Sequence, residues 1–302
     1  MKNEKNIPLV GNPHVIIIDT TLLCNSKCYF CWRSNKSEHL RTLLQKYENR
    51  TVIDFEIFKK IVDDVVQYSG IRDISLCGPM GEPLMNMNFT DLTEYVMSKR
   101  HFTTNVINTN GLNIHNHSIN RLLNSLTEIS VSVDSIDIET YKKIHGVPDL
   151  ARVIKNIRNI IEYKKKNSCL ATIAVRFTEN EHNIGQYPAF KHFFTLLGVD
   201  RINYTKIHSF AGIHEDLVSS RGVAECVQGR VINFDLHGNM STCCVNWRPS
   251  PRFGNIADKT IAEMWNSSKR TGWWNARNDI EPCKNCGGLG YLPQKTGLHD
   301  EA

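Results

Sequence analysis

Three thiols in one short stretch carry the first chemical signal in this chain. Cys24, Cys28 and Cys31 lie in CNSKCYFC, spaced by three residues and then two. Thiolates this close in a loop can hold three irons of a 4Fe–4S cube and leave the fourth iron without a protein ligand. An open iron binds a substrate or cofactor, so such a site is built for chemistry and not only for storing electrons. Zinc sites instead combine C-x2–4-C pairs with two further donors and close their shell. Spacing alone leaves a zinc site and unrelated buried thiols open beside the cube.

A second cysteine group lies toward the C-terminus. Cys226 is followed by Cys243 and Cys244 in HGNMSTCC, then by Cys283 and Cys286 in PCKNC. Four thiolates from this group either complete a second cube or bind one zinc. Cys243 and Cys244 compete for one position, because neighbouring side chains of an extended segment point apart. Cys77 stands alone at the end of a β-rich run, and Cys169 reads as core.

The elements that position these residues alternate. Strands are expected at His14–Ile18, Asp73–Cys77, Thr103–Asn108, Glu128–Val133, Leu170–Phe177 and Arg201–Tyr204. Amphipathic stretches lie between them at Asp54–Tyr68, Asn88–Arg100, His115–Asn124, Leu150–Lys166 and Asn183–Leu197. In the first, Phe55, Phe58, Ile61, Val62, Val65 and Val66 recur at helical spacing. Strands alternating with helices imply parallel pairing and right-handed crossovers. Sites of such sheets lie at the C-terminal strand ends, where the first cysteine loop sits. After about Phe210 the chain turns rich in Cys, Trp, Gly and Asn. VINFDLHGNMSTC reads as a hairpin there, and Thr260–Ser268 as a short helix.

Composition narrows the function classes. The chain has 302 residues, 41% of them hydrophobic and 22% charged, as in a soluble globular protein. No run reaches the length of a membrane span, and the N-terminus lacks a signal-peptide core. A net charge of +5 fits anionic small molecules or peptides without demanding nucleic acid. Clustered cysteines without an export signal argue for metal binding in a reducing, cytoplasmic setting.

The first cysteine stretch resembles the cluster loop of the radical S-adenosylmethionine (SAM) superfamily, and the likeness runs along most of the chain. It implies a 4Fe–4S cluster whose open iron chelates the amino and carboxylate groups of SAM. An electron from that cluster cleaves SAM to methionine and a 5′-deoxyadenosyl radical, which takes a hydrogen atom from an unactivated C–H bond. Phe30 matches the aromatic position near the adenine; by itself it reads equally as loop packing. CGPMGEPLMN resembles the Gly-Gly-Glu motif that accepts hydrogen bonds from the SAM amino group, through Gly81 and Glu82, with Met80 replacing the first glycine. Asn110 in NTNG, and Ser132 and Asp134 in ISVSVDS, match positions that contact the ribose and carboxylate of SAM. Arg176, amid apolar residues in VRFTEN, would pair with an anion such as the SAM carboxylate, or form a surface salt bridge. ETYKKIHG resembles the segment after strand four, with a packing role.

The later cysteines resemble the SPASM/twitch extensions, in which Cys226, Cys243, Cys283 and Cys286 would hold an auxiliary 4Fe–4S cluster. The Gly-x4-Cys pattern selects Cys243, and no cysteine follows Cys286, which implies one auxiliary cluster. The fold implied is α/β: a partial (β/α)6 TIM-like barrel over residues 1–210, then a small cysteine-rich twitch/SPASM-like domain over 211–302. Two fates of a substrate radical follow from the resemblance. Oxidation of a sugar or aminocyclitol alcohol would pass an electron to the auxiliary cluster, with Lys206 or His208 after the sixth strand as candidate bases. Epimerisation would instead take a hydrogen atom from Cys244 or Cys77. Modification of a ribosomal peptide is a third option, and a zinc-stabilised scaffold the non-enzymatic one. The partners implied are a small polar or peptide substrate and an electron donor such as flavodoxin or ferredoxin, with neither nucleic acid nor membrane.

Overall fold

Alternate residues of a strand face opposite sides of its sheet, and in this protein the two sides differ in chemistry. The computed structural model describes residues 13–35, 45, 50–68, 70–78, 80–207, 209, 226–241, 243, 251–277, 279–281 and 283–286. Its first part runs β1 (Val15–Ile18), α1 (Trp32–Asn35), α2 (Phe55–Tyr68), β2 (Asp73–Ser75), α3 (Phe89–Ser98) and β3 (Thr104–Thr109). It continues with α4 (Ile119–Ser125), β4 (Glu128–Ser132), α5 (Ile138–His145), α6 (Leu150–Asn167), β5 (Thr172–Glu179), α7 (Tyr187–Leu197) and β6 (Arg201–Lys206). Then come β7 (Val231–Phe234), β8 (Asn239–Ser241), β9 (Gly254–Asn255), α8 (Ile261–Trp265) and α9 (Ser268–Ala276).

The sheet order is β6-β5-β4-β3-β2-β1-β7-β8-β9. β1 to β6 pair in parallel with their sequence neighbours, joined by helical crossovers, and β6 and β1 do not meet. This is the open six-unit barrel expected of the sequence. β7 extends the sheet by pairing in parallel with β1, and β8 and β9 follow antiparallel. The β7–β8 hairpin is thus present, turned at Asp235–Gly238 with Gly238 at φ 78°. The boundary near residue 210 falls outside the described residues.

Ile16, Ile18, Ile74, Leu76, Ile107, Ile129, Val131, Ile173 and Val175 share one sheet face, buried in the core. Helix stripes cover this face: Phe58, Ile61, Val62 and Val65 of α2, and Val153, Ile157, Ile160 and Ile161 of α6. The opposite face carries Asn108, Ser130, Ser132, Arg176 and Asn203, with Asn108 opposite Ser130, and Ser132, Arg176 and Asn203 in one row. Except for buried Ser130, these residues are half-buried.

Local chemistry explains where elements depart from the sequence expectation. β5 starts at Thr172 because Leu170 lies outside the sheet at 96% exposure. The third amphipathic stretch splits into a 3-10 turn and α4, which Ser118 caps by accepting from the Arg121 N–H. α7 starts near Pro188, which tolerates only the first helical turn. ETYKKIHG forms α5, capped by Asp137 and ended at Gly146. α9 was hidden in the sequence by Gly272 and Trp273-Trp274, poor helix formers. No helix among the described residues is long and apolar enough to cross a membrane.

Candidate active site and cluster-binding residues

The first cysteine loop follows β1 and is held from two sides. The Lys27 and Tyr29 N–H groups donate to the His145 and Ile144 carbonyls at 2.9 and 3.0 Å, satisfying carbonyls that the end of α5 leaves open. The Asn110 side-chain amide donates to Asn25 Oδ1 at 2.7 Å and Ser26 Oγ at 2.9 Å, which ties the loop to the end of β3. Cys31 N–H closes a turn onto the Cys28 carbonyl at 3.1 Å.

The three thiols are half-buried, and burial pushes all three above the ordinary thiol range. At Cys28 the nearby charges of Cys31 and Cys24 add to burial, so the three sulfurs form one group. Arg33 pulls Cys24 and Cys31 the other way. Thiols that resist ionisation by themselves, yet cluster in one loop, suit a cationic iron cluster that makes the thiolates favourable.

Glu82 sits beside this loop. Its N–H donates to the Leu23 carbonyl at 2.7 Å, while its carboxylate accepts from Thr109 Oγ1, the Asn110 N–H at 2.7 Å and the Leu84 N–H at 3.2 Å. Burial nevertheless raises its pKa to about 7, against the pull of those donors. Gly81 is fixed by contact: a Cβ there would lie 2.4 Å from the Thr21 carbonyl and 2.6 Å from that of Leu23. The Met80 carbonyl accepts from Arg33, so replacing glycine by Met80 leaves that carbonyl engaged within the chain.

The other expected residues divide. Ser132 and Arg176 meet on the polar face, where Arg176 donates to Asn108 Oδ1 at 3.1 Å. Cys77 belongs to this group: burial raises its pKa to about 11, against hydrogen bonds from Asn108 and the charge of Arg176. Phe30 packs edge-on against Tyr29, with ring centroids 5.5 Å apart. The expectation that Asp134 touches SAM meets a carboxylate already engaged: it accepts from the Thr178 N–H at 2.6 Å and lies 3.2 Å from His145 Nε2. Asn110 is likewise occupied in holding the loop. Lys206 is exposed at the end of β6, 3.7 Å from Glu179. His208 and Cys244 lie outside the described residues.

Cys226, Cys243, Cys283 and Cys286 come from three separate segments. Burial raises the Cys283 pKa to about 12, and the charges of Cys243, Cys226 and Cys286 add to it, so the four thiols gather. Among the described residues no three His, Cys, Asp or Glu side chains converge on one ion. A cube does not ask them to, since each of its irons takes its own thiolate.

Sequence reading missed Asp19, Asn108 and His145. Asp19 ends β1 beside Gly78, and burial, with nearby Asp235, pushes its carboxyl well above the usual range. A carboxylate closing the apolar run VIIID was the available signal. Asn108 was legible only as a strand end, and His145 only as part of a packing segment.

The family model described as Radical SAM superfamily matches residues 18–187, and the SPASM iron-sulfur cluster-binding domain matches 226–287. A GTP 3′,8-cyclase of Rhodopirellula baltica is 27% identical over 168 residues, 56% of this chain and 44% of that protein. The chain spans about half the length of the curated relatives it matches. BtrN, in a crystal structure with AdoMet and 2-DOIA, superposes with a TM-score of 0.56 at 16% identity, covering 91% of this chain and 93% of BtrN. Streptococcus suis SuiB bound to precursor peptide SuiA gives 0.68 at 14% identity, covering 92% of this chain and 70% of SuiB. At these identities the two structures show the shared fold.

Proposed function

The chain belongs to the radical SAM superfamily, and from that premise we propose that it oxidises a hydroxyl-bearing carbon of a small, sugar-like or aminocyclitol substrate to a ketone. Membership brings SAM and a 4Fe–4S cluster, and the SPASM domain brings auxiliary iron–sulfur binding. This enzymatic assignment replaces the zinc-scaffold alternative. Bound, these groups supply a hydrogen-abstracting radical and an electron acceptor.

In this reading Cys24, Cys28 and Cys31 hold the SAM-cleaving cluster, and Cys226, Cys243, Cys283 and Cys286 hold one auxiliary cube. Phe30, Gly81, Glu82 and Ser132 line the SAM side, Asn110 and Asp134 support it from behind, and Arg176 faces an anionic or polar group. The substrate loses a hydrogen atom from carbon, then a proton from its hydroxyl and one electron, which leaves C=O. Lys206 and His208 are the proposed proton acceptors. A small flavin or iron–sulfur protein would supply the electron that starts the cycle.

The observation that carries the substrate class is the polar strand face. Asn108, Ser130, Ser132, Arg176 and Asn203 line one side of a sheet whose other side is mainly apolar, with Asn105 and Thr109 the polar residues buried there on β3. Small serines between longer amide and guanidinium groups leave room for a molecule rich in hydroxyls. BtrN, whose structure holds 2-DOIA, is matched along nearly its whole length, whereas the cyclase likeness covers 44% of that protein. Anaerobic incubation with a panel of aminocyclitols and amino sugars deuterated at carbon tests the reading. Deuterium should enter 5′-deoxyadenosine and a ketone should accumulate. Deuterium transfer only from a peptide or nucleotide would defeat it.

One observation favours epimerisation as a second reading. Cys77 lies on the polar face as a thiol whose raised pKa keeps its hydrogen at neutral pH, as a hydrogen-atom donor requires. In deuterium oxide an epimerised product carries solvent deuterium at the inverted carbon, and a ketone carries none there. Loss of that deuterium in Cys77→Ser would assign the donor; its persistence would move the role to Cys244.

A further inference from the structure

His145 is the last residue of α5, 1% exposed, and its ring is fixed on three sides. Nδ1 faces Cys28 Sγ at 3.4 Å. Nε2 lies 3.1 Å from the Val133 carbonyl and 3.2 Å from Asp134 Oδ2. The Tyr141 ring covers one face, with centroids 4.5 Å apart. The backbone around this contact is held close. Gly146, at φ 69°, ends α5 where a Cβ would lie 2.6 Å from the Lys27 carbonyl. Asp134 itself adopts φ 60°, a left-handed conformation uncommon outside glycine, asparagine and aspartate. It is held there while its carboxylate reaches both Thr178 and His145.

A buried imidazole could serve only to pack α5 against the sheet. Packing does not require a ring nitrogen aimed at a sulfur, nor a carboxylate behind the other nitrogen. Hydrogen bonds to cluster sulfurs are among the main determinants of cluster potential, and partners behind a metal ligand orient and tune it. We infer that His145, whose Nε2–H is directed at the Val133 carbonyl beside the Asp134 carboxylate, carries a second ring hydrogen on Nδ1 in the loaded enzyme, donates it to the Cys28 thiolate and so makes the SAM-cleaving cluster easier to reduce. His145 is a positioning residue in this role: it touches neither SAM nor substrate. The inference rests on Cys28 as a cluster ligand and is independent of the proposed substrate.

The test uses the full chain with both clusters, anaerobic and without substrate. The electron paramagnetic resonance signal that changes on adding SAM identifies the cluster with the open iron. In wild-type protein labelled with 15N-histidine, that reduced cluster should show a weak coupling to one histidine nitrogen and to an exchangeable proton. Absence of both couplings overturns the inference. His145→Phe, which retains a ring for Tyr141 to cover, should lose both couplings and shift the cluster midpoint to more negative potential. His145→Asn, whose amide N–H falls near the place of Nδ1, should recover most of that shift. A loaded His145→Phe cluster with an unchanged midpoint overturns the tuning role. Should that variant fail to take up iron, the couplings in the wild-type protein decide alone.

Discussion

The two thiol groups of this protein are built in opposite ways. Cys24, Cys28 and Cys31 share one loop that the rest of the barrel already holds, through Asn110 on one side and the end of α5 on the other. Cys226, Cys243, Cys283 and Cys286 come from segments far apart in sequence, brought together past the sheet's added strands. Closing long loops costs entropy, and a site absent from the unfolded chain turns binding energy into folding energy. The first site is therefore a fitting on a finished scaffold, and the second is part of what completes its own scaffold.

The most severe test of that contrast removes the first site. Cys24→Ala, Cys28→Ala and Cys31→Ala together should abolish 5′-deoxyadenosine formation and leave about four of eight irons. Thermal unfolding followed by circular dichroism should change little. A large fall in melting temperature would mean that the loop depends on its metal after all.

Removing Cys283 and Cys286 together by Ala substitution should release the auxiliary irons and expose the chain beyond residue 226 to proteolysis. The barrel's ability to bind SAM should survive, as read by the spectral change of the remaining cluster. Equal protease resistance with and without the auxiliary iron would erase the difference between the two regions.

Glu82 sharpens the comparison through pH. Its pKa in the folded, cluster-free chain is about 7, raised from 4.5 by burial. A carboxyl raised on folding stabilises the fold fully below its unfolded pKa, and that contribution is lost as pH rises through the folded pKa. Stability measured by urea unfolding should thus fall by up to about 3 kcal/mol between pH 4.5 and 7 and level off above. Glu82→Gln should remove this share of the slope and leave the part that the raised carboxyls of Asp19 and Asp64 contribute. A wild-type profile already flat across this window would show that Glu82 is ionised in the fold.

The smallest effects come from one substitution placed in each region. Gly81→Ala drives a Cβ into the Thr21 and Leu23 carbonyls, backbone that cannot step aside, and should cost about 1–3 kcal/mol. Gly272→Ala lies within α9, where an added Cβ meets nothing within 4 Å. It should stabilise by roughly 0.5–1 kcal/mol through helix propensity. Urea midpoints moving in the same direction for both would contradict these two placements.

Much of this was legible in the sequence because it rests on short-range rules. Period-two and helical apolar patterns located β1 to β6 and α2, α3, α6 and α7 to within a few residues. The Glu128–Ser132 strand showed its polar side as alternating serines. The ends were less legible, since they depend on caps such as Ser118 and Asp137, whose partners are backbone N–H groups. α5 and α9 were missed because neither has a long apolar stripe. The partners of Asn110 were equally hidden. Its motif marks a place beside SAM, but only the fold shows its amide spent on Asn25 and Ser26.

By itself, the sequence determined the chemical class and the plan. Cysteine spacing is a local property that no distant contact can alter, and the alternation of strands and helices leaves few ways to build a sheet. Tertiary structure decided which side chains meet. Asn108 and Arg176 lie on β3 and β5 and Cys77 just past the end of β2, and they converge only because parallel register sets these strands side by side. Asp134 and His145 are separated by a helix, yet a left-handed turn at one and a helix end at the other bring both to Cys28. Such meetings depend on register and backbone direction summed over many residues, and no window of sequence contains that sum.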